Sequence, residues 1–177
     1  MDEKYQQLAH ELGTWIGQHG HTLLYGGSNA GLMHITASAA HEAGGHIIGV
    51  IPEMLRHRLD PVCDEAIHTA NLGDRKQYMI EHGDAFVVMP GGIGTLDEWI
   101  STLAVMTIGN DDPRPVIVAN IDGLYDATLR QLADMTRTPL ARGKNLARAL
   151  VATSSRELIQ ELSGLTSDRV SQSLQDR

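Results

Sequence analysis

Apolar residues along the chain follow two patterns: helical spacing in some stretches and short unbroken runs in others. Leu8, Leu12 and Ile16 recur every four residues, which predicts an amphipathic helix over 3–18. Apolar runs such as 84–89 show no alternation with polar positions, which predicts strands covered on both faces. The predicted elements, in chain order, are helix 3–18, strand 21–25, helix 30–43, strand 46–51, strand 65–69, helix 73–82, strand 84–89, helix 95–107, strand 115–119, helix 123–136, strand 149–152 and helix 154–163.

This order alternates strands with helices along most of the chain. Such alternation is typical of βαβ units and predicts an α/β fold with a mostly parallel sheet. No internal repeat or linker interrupts it, so residues 1–177 are predicted to form a single domain with a polar, frayed tail after about 167. In open sheets of this kind, ligands bind beyond the carboxyl ends of the strands. Two glycine-rich turns follow predicted strands and therefore mark the expected site.

Composition and charge narrow the range of functions. Of the 177 residues, 42% are hydrophobic and 20% charged, which suits a folded core. The net charge of −8 argues against binding DNA or RNA, although a few local cations can still hold a small anion. No apolar run approaches the roughly 20 residues that span a bilayer, so no membrane partner is expected. The lone Cys63 and the absence of a targeting pattern predict a reducing, cytoplasmic setting.

The strongest motif is Pro-Gly-Gly-Ile-Gly-Thr-Leu-Asp-Glu at 90–98, between an apolar strand and a helix. Glycines let the backbone approach a ligand closely, and the free N–H groups at a helix start favour phosphate. A tight turn with an acidic first helical turn is the alternative interpretation. The candidate phosphate-binding residues of this motif are Gly91, Gly92, Ile93, Gly94 and Thr95.

A second turn of the same kind, Gly-Gly-Ser-Asn-Ala-Gly, occupies 26–31. It has the glycine spacing of a P-loop, but Leu32 and Met33 replace the required Lys and Ser/Thr, so ATP or GTP hydrolysis is not expected. It also resembles a nucleophile elbow, but Ala30 stands in place of the last glycine. The residues of this turn that could help to bind a phosphate are Gly26, Gly27, Ser28 and Gly31.

Arg75 and Lys76 follow Asp74 at the start of a predicted helix. Helix dipoles favour acidic residues there, so the basic pair is unusual. It could pair with nearby carboxylates, or it could bind an anion beside the two glycine turns. The nine histidines have no metal-ligand spacing, so no metal and no cofactor is expected.

Taken together, these segments resemble the Lonely Guy family of cytokinin-activating enzymes, long described as possible lysine decarboxylases. The resemblance covers about 3–165 and rests on five segments in the family's order. They are Tyr25-Gly26-Gly27, Gly31-Leu32-Met33, Ile48-Gly49-Val50-Ile51-Pro52, Arg75-Lys76-x-x-Met79 and the 90–98 motif. The Arg-Lys pair combined with the last motif is the most specific feature.

The resemblance implies a Rossmann-like, three-layer α/β/α fold, a homodimer, and hydrolysis of nucleoside 5′-monophosphates to free base and ribose 5-phosphate. AMP or an N6-modified AMP is the implied substrate. By match to the motif, Arg75 and Glu98 resemble the catalytic pair, and Lys76 and the 91–95 loop resemble substrate-binding positions. A carboxylate such as Glu98 would stabilise the oxocarbenium-like charge near C1′, or orient the attacking water.

The chain departs from the family pattern in several places. The family's usual first strand is absent before helix 3–18, and His34 stands where a glycine usually follows Leu-Met. The loop after Pro52 is also short. These departures affect the nucleotide pocket and the base specificity rather than the Arg75–Glu98 pair.

Two other functions compete with the phosphoribohydrolase. A non-catalytic nucleotide or molybdenum-cofactor carrier would share the glycine turns but would not need the Arg75–Glu98 pair. Lysine decarboxylase is disfavoured, because none of the three lysines, Lys4, Lys76 and Lys144, lies in a recognisable pyridoxal-phosphate context.

Overall fold

The computed structural model of the chain describes residues 1–108, 112–139 and 149–175. Two short 3-10 helices, Glu53–Arg58 and Ile121–Gly123, lie among the longer elements. The helices and strands are, in chain order, α1 Glu3–Gln18, β1 Thr22–Tyr25, α2 Gly31–Glu42, β2 His46–Pro52, β3 Glu65–Thr69, α3 Leu72–His82, β4 Phe86–Val88, α4 Ile93–Ile108, β5 Val116–Ala119, α5 Asp126–Thr136, β6 Leu150–Ala152 and α6 Ser155–Gln175. The predicted alternation of strands and helices is confirmed. Within the described ranges, no helix is both long and apolar enough to cross a bilayer.

All strand pairs are parallel, as predicted, but the strands form two sheets instead of one. One sheet has the order β1-β2-β3 and the other β4-β5-β6. In the first sheet Leu24 lies opposite Ile48, and in the second Val87 lies opposite Ile117. Among the described residues, no strand pair joins the two sheets. The first described element is α1.

Strand β5 shows why the apolar runs lack alternation. Its side chains point alternately into two hydrophobic clusters, one on each face of the sheet. Ile117 and Ala119 pack with α1 and α6, whereas Val116 and Val118 pack with α4 and α5. Both faces are therefore covered by helices, which makes the molecule a Rossmann-like, three-layer α/β/α structure.

Helices α1 and α2 pack at backbone distance. A Cβ atom on Gly13 would lie 2.3 Å from the carbonyl oxygen of Thr36, and one on Gly17 would lie 2.4 Å from that of Ala40. Only glycine allows this approach, which fixes α2 and the glycine turn that precedes it against α1.

Two helix ends differ from the prediction. Helix α6 continues to Gln175 rather than ending near 163, so the predicted polar tail after 167 is helical as far as the structure describes it. The helix continues through Gly164, because no proline follows and a lone glycine costs a helix only about 1 kcal/mol. Helix α4 begins at Ile93, two residues early, so Ile93, Gly94 and Thr95 form its first turn instead of a loop.

Candidate active site

Arg75 on α3 and Glu98 on α4 form an ion pair through Nη2 and Oε1. The Arg75 side chain is 13% exposed and the Glu98 side chain 33%, so the pair opens to solvent mainly on the carboxylate side. The guanidinium also lies on the 26–31 turn, because a Cβ atom on Gly26 would stand 3.0 Å from Nη1. Among the described residues, the buried Nε of Arg75 has no hydrogen-bond partner. Arg75 thus connects Glu98 with the first glycine turn.

The start of α3 holds Arg75 and Lys76 in place. Asn71 caps the helix: its side-chain oxygen accepts a hydrogen bond from the Asp74 N–H at 2.9 Å, and its amide donates to the Asp74 carboxylate at 3.0 Å. The Arg75 N–H donates to the carbonyl of Asn71. This reciprocal cap satisfies the free Asp74 N–H, and the Asp74 carboxylate offsets the unfavourable placement of two cations near the start of the helix.

Lys76 forms a second link between α3 and α4. Its Nζ donates to both carboxylate oxygens of Asp97, at 2.7 and 2.8 Å, and to the Ser101 hydroxyl at 3.2 Å. The predicted substrate-binding role of Lys76 stays a prediction, because its ammonium group already has a carboxylate partner. Asp97 was not predicted from the sequence, although it stands beside Glu98 just as Lys76 stands beside Arg75.

The 91–95 segment leads from β4 into α4 with an open backbone. A Cβ atom on Gly92 or Gly94 would meet nothing within 4 Å, and Ile93 is 84% exposed. A Cβ on Gly91, in contrast, would lie 2.0 Å from the Thr95 hydroxyl oxygen. The Thr95 side chain is thus packed against the Gly91 backbone, whereas the N–H groups of the open segment remain accessible to an anion.

Tyr125 supports the strand end beneath this segment and was also not predicted. Its hydroxyl donates to the carbonyl of Met89 at 2.8 Å, and burial raises the pKa of its phenol. The backbone N–H of Tyr125 in turn donates to the Asn120 side chain at 2.7 Å. No sequence motif marks Tyr125, since its contact with Met89 depends on the packing of α5 beneath β4.

The 26–31 turn is compact and partly buried. Gly27 has φ of +68°, and a Cβ there would lie 3.2 Å from the backbone of Gly49. Ser28 is only 6% exposed and forms an antiparallel bridge with Leu59, so its side chain is less accessible than the sequence suggested. Gly31 opens α2 with φ of +63°. The binding roles of this turn stay predictions.

A sequence model described as "Possible lysine decarboxylase" matches residues 33–162. The chain is 36% identical over 162 residues to the cytokinin riboside 5′-monophosphate phosphoribohydrolase of Oryza sativa subsp. japonica, covering 89% of this chain and 66% of that one. The chain belongs to the Lonely Guy family. The cytokinin riboside 5′-monophosphate phosphoribohydrolase of Mycobacterium tuberculosis is another relative of this Lonely Guy protein, 35% identical over 156 residues, or 87% of this chain and 83% of that one.

Solved structures similar to this Lonely Guy protein include two proteins named for the molybdenum cofactor. The binding protein from Rippkaea orientalis superposes with a TM-score of 0.73 at 25% identity, covering 93% of this chain and 90% of that one. The carrier protein from Chlamydomonas reinhardtii gives 0.74 at 24% identity, covering 94% and 91%. The second likeness concerns the fold alone.

The lysines of this Lonely Guy protein do not resemble those of a decarboxylase site. Lys4 is paired with Asp122 and Lys76 with Asp97, while Lys144 lies outside the described residues. In the part of the chain that the structure describes, no three His, Cys, Asp or Glu side chains converge as metal ligands.

Proposed function

We propose that this protein hydrolyses the N-glycosidic bond of a purine nucleoside 5′-monophosphate and releases free base and ribose 5-phosphate. The observation that carries the proposal is the Arg75–Glu98 pair, whose guanidinium lies against the Gly26 backbone and whose carboxylate lies on α4, the helix that the 91–95 segment begins. The names of the relatives support it, since they act on cytokinin riboside 5′-monophosphates.

In this proposal Glu98 stabilises the reacting carbon. Cleavage of an N-glycosidic bond passes through a state with positive charge near C1′, and a fixed carboxylate lowers its energy. The ion pair with Arg75 restricts the Glu98 side chain before substrate arrives. The partly exposed carboxylate leaves room for a water molecule, which Glu98 could orient towards C1′.

The 5′-phosphate is proposed to bind at the start of α4, with the 26–31 turn as the second wall. The open backbone at Gly92 and Gly94 and the adjacent Arg75 guanidinium supply N–H donors and positive charge. The buried Nε–H of Arg75 has no partner in the part of the chain that the structure describes, and a substrate oxygen could accept a hydrogen bond from it.

Incubating the protein separately with AMP and with isopentenyladenosine monophosphate tests the activity and the base preference. We expect chromatography to show free base and ribose 5-phosphate from at least one of them. A faster reaction with the N6-modified nucleotide would identify a cytokinin-type substrate. Nucleotide that is recovered intact in both incubations would contradict the proposal.

The rival function is a non-catalytic carrier, and the similarity to molybdenum-cofactor proteins favours it. A carrier would retain its ligand unchanged, so it would bind AMP in calorimetry and release no base. The Arg75–Glu98 pair favours the enzyme, because a carrier needs no carboxylate beside C1′.

We also propose a homodimer formed through α4. Ile100, Val105 and Ile108 are 41%, 51% and 86% exposed and follow one another along the helix that carries Glu98. These side chains share one broad exposed face of α4, and covering that face with a second copy would place the interface near the active site. Light scattering should report a dimer at micromolar concentration, and Val105→Glu should shift it towards monomer; a wild-type monomer would contradict the interface.

The protein is further proposed to work in the cytoplasm. The chain has a single cysteine, Cys63, and it is a free thiol. Its sulfur lies 3.3 Å from the Tyr25 hydroxyl, and burial raises the pKa of the thiol. A partly buried thiol of this kind needs no disulfide partner, which suits a reducing compartment.

A further inference from the structure

Asp60 is a fully buried carboxylate beside the first glycine turn. Its side chain is 0% exposed, and its Oδ2 lies 3.0 Å from Nδ1 of His34, whose ring is 45% exposed. Its Oδ1 accepts a hydrogen bond from the Val62 N–H at 3.3 Å. A buried carboxylate needs such partners, because leaving its charge unpaired is strongly unfavourable. Among the described residues, His34 is the basic side chain that the fold places at Asp60.

The other titratable neighbours of Asp60 are acids. The Tyr25 hydroxyl and the Cys63 thiol contact each other at 3.3 Å, and burial raises the pKa of both. The Asp60 carboxylate raises both pKa values further. Both groups therefore stay uncharged at neutral pH and offer Asp60 no counter-ion, which leaves the pairing to His34.

The backbone around Asp60 is tied to the 26–31 turn. The Asp60 N–H donates to the carbonyl of Gly27 at 2.8 Å, and the Asn29 N–H donates to the carbonyl of Arg58 at 2.9 Å. Ser28 and Leu59 complete the contact as an antiparallel bridge. The backbone of segment 58–60 therefore packs directly against the turn.

His34 adds a side-chain contact at the end of this turn. It lies in the first turn of α2, which begins at Gly31, so the His34–Asp60 contact joins the end of the 26–31 turn to the 58–60 segment. At the start of the same turn, Gly26 lies against the Arg75 guanidinium. The turn is thus held between the His34–Asp60 pair and the Arg75–Glu98 pair.

A Ser-His-Asp triad is a different interpretation of the same residues, because the Ser38 hydroxyl lies near His34. Its oxygen is 3.4 Å from Nδ1 and 3.5 Å from Nε2. A nucleophilic serine must align with the nitrogen that faces away from the aspartate, whereas Ser38 aligns with neither. The geometry points to a structural pair with a polar neighbour.

We propose that His34 and Asp60 are positioning residues, which hold the 26–31 turn in the conformation that binds the 5′-phosphate. This inference rests on the proposed function, because the turn is one wall of the proposed phosphate site. Neither residue contacts the reacting carbon in this scheme. Their loss should therefore weaken nucleotide binding while leaving the chemistry at Glu98 largely intact.

Four variants test the pair. His34→Ala removes the imidazole, His34→Gln keeps a donor for Asp60, and Asp60→Asn keeps the shape but removes the charge. The control is His41→Ala, at the other end of α2, where the imidazole lies 4.0 Å from the carboxylate of Asp64. Each protein is measured for AMP turnover, for AMP affinity by calorimetry and for Tm.

We expect His34→Ala and Asp60→Asn to raise KM for AMP about tenfold, as loss of a hydrogen bond to a charged group would, with kcat changed less than threefold. His34→Gln should restore most of the affinity, and His41→Ala should match wild type. A lower Tm with KM within about twofold of wild type would show that the pair only stabilises the fold, and would overturn the proposal. If His34→Ala does not fold, the KM values of Asp60→Asn and His34→Gln are compared. A KM raised in Asp60→Asn but not in His34→Gln supports the proposal, and a KM near wild type in both overturns it.

The same data separate this inference from the proposed function. A wild-type protein that binds AMP without releasing base overturns the hydrolase proposal alone, and the variants are then compared by the Kd of AMP. A wild-type protein that neither binds nor hydrolyses AMP overturns both.

Discussion

Replacing Glu98 by glutamine removes one negative charge while keeping the size of the side chain. In the wild-type protein this carboxylate pairs with Arg75 and is one-third exposed. The substitution leaves the 91–95 segment and the 26–31 turn unchanged, so the proposed phosphate contacts remain. We therefore expect a large effect on turnover and a small one on nucleotide affinity.

The exposure of Glu98 sets the size of the effect. A site open to solvent on one side has an effective dielectric constant of about 20, at which two unit charges about 4 Å apart interact by about 4 kcal/mol. The transition state carries only part of a unit charge at C1′, so turnover should fall about 10²- to 10³-fold, in the range measured for other preorganised contacts. Glu98 lies in the second turn of α4, beyond the strongest part of the helix dipole, so the unfolding free energy should change by about 1 kcal/mol or less.

The assay measures initial rates of base release from AMP, with Kd from calorimetry and Tm from thermal unfolding on the same samples. Glu81→Gln is a matched control, because Glu81 is an exposed carboxylate on α3 whose oxygen accepts a local hydrogen bond from Gln77. We expect the control to keep wild-type turnover. A Glu98→Gln protein that is slightly less stable yet fully active would refute the catalytic assignment.

Three further predictions concern binding, packing and pH. Arg75→Ala should impair both AMP affinity and turnover, since it removes a cation and the partner of the carboxylate; calorimetry and rates measure the two. Gly13→Val should lower Tm strongly or prevent folding, because its Cβ would lie 2.3 Å from the Thr36 carbonyl oxygen. The hydrogen bond from Arg114 holds the pKa of Asp112 below its usual 3.8, so its contribution to stability is present above that pH and is lost as pH falls through the lower, folded-state pKa. Acid unfolding of Asp112→Asn should show a smaller loss of stability in that range.

Local sequence patterns predicted most of the helices and strands, and they identified Arg75 and Glu98 as candidate site residues. Helix α1 and strand β3 have the predicted bounds, because apolar spacing and glycine stops act within one element. The catalytic candidates followed from the resemblance of two short motifs to those of the Lonely Guy family. Their meeting in space depends on the packing of α3 against α4, since β3 and β4 belong to different sheets.

Contacts between distant segments could not be predicted in this way. Whether six strands form one sheet or two depends on which edge strands pair, which no local pattern encodes. The Lys76–Asp97 and His34–Asp60 contacts join residues 21 and 26 positions apart, so their partners emerge only from packing. The early start of α4 likewise depends on a hydrogen bond from the Leu96 N–H to the Gly92 carbonyl.

The most direct test of the central claim is the ratio of kcat/KM for AMP to that for adenosine. The two compounds share base and ribose and differ only in the 5′-phosphate that the 91–95 segment and the 26–31 turn are proposed to hold. We predict that release of adenine from AMP is at least about 100-fold more efficient, the effect of losing about 2.7 kcal/mol of binding energy. Equal efficiency on both compounds would contradict the account, because the glycine turns and Arg75 would then have no phosphate to bind.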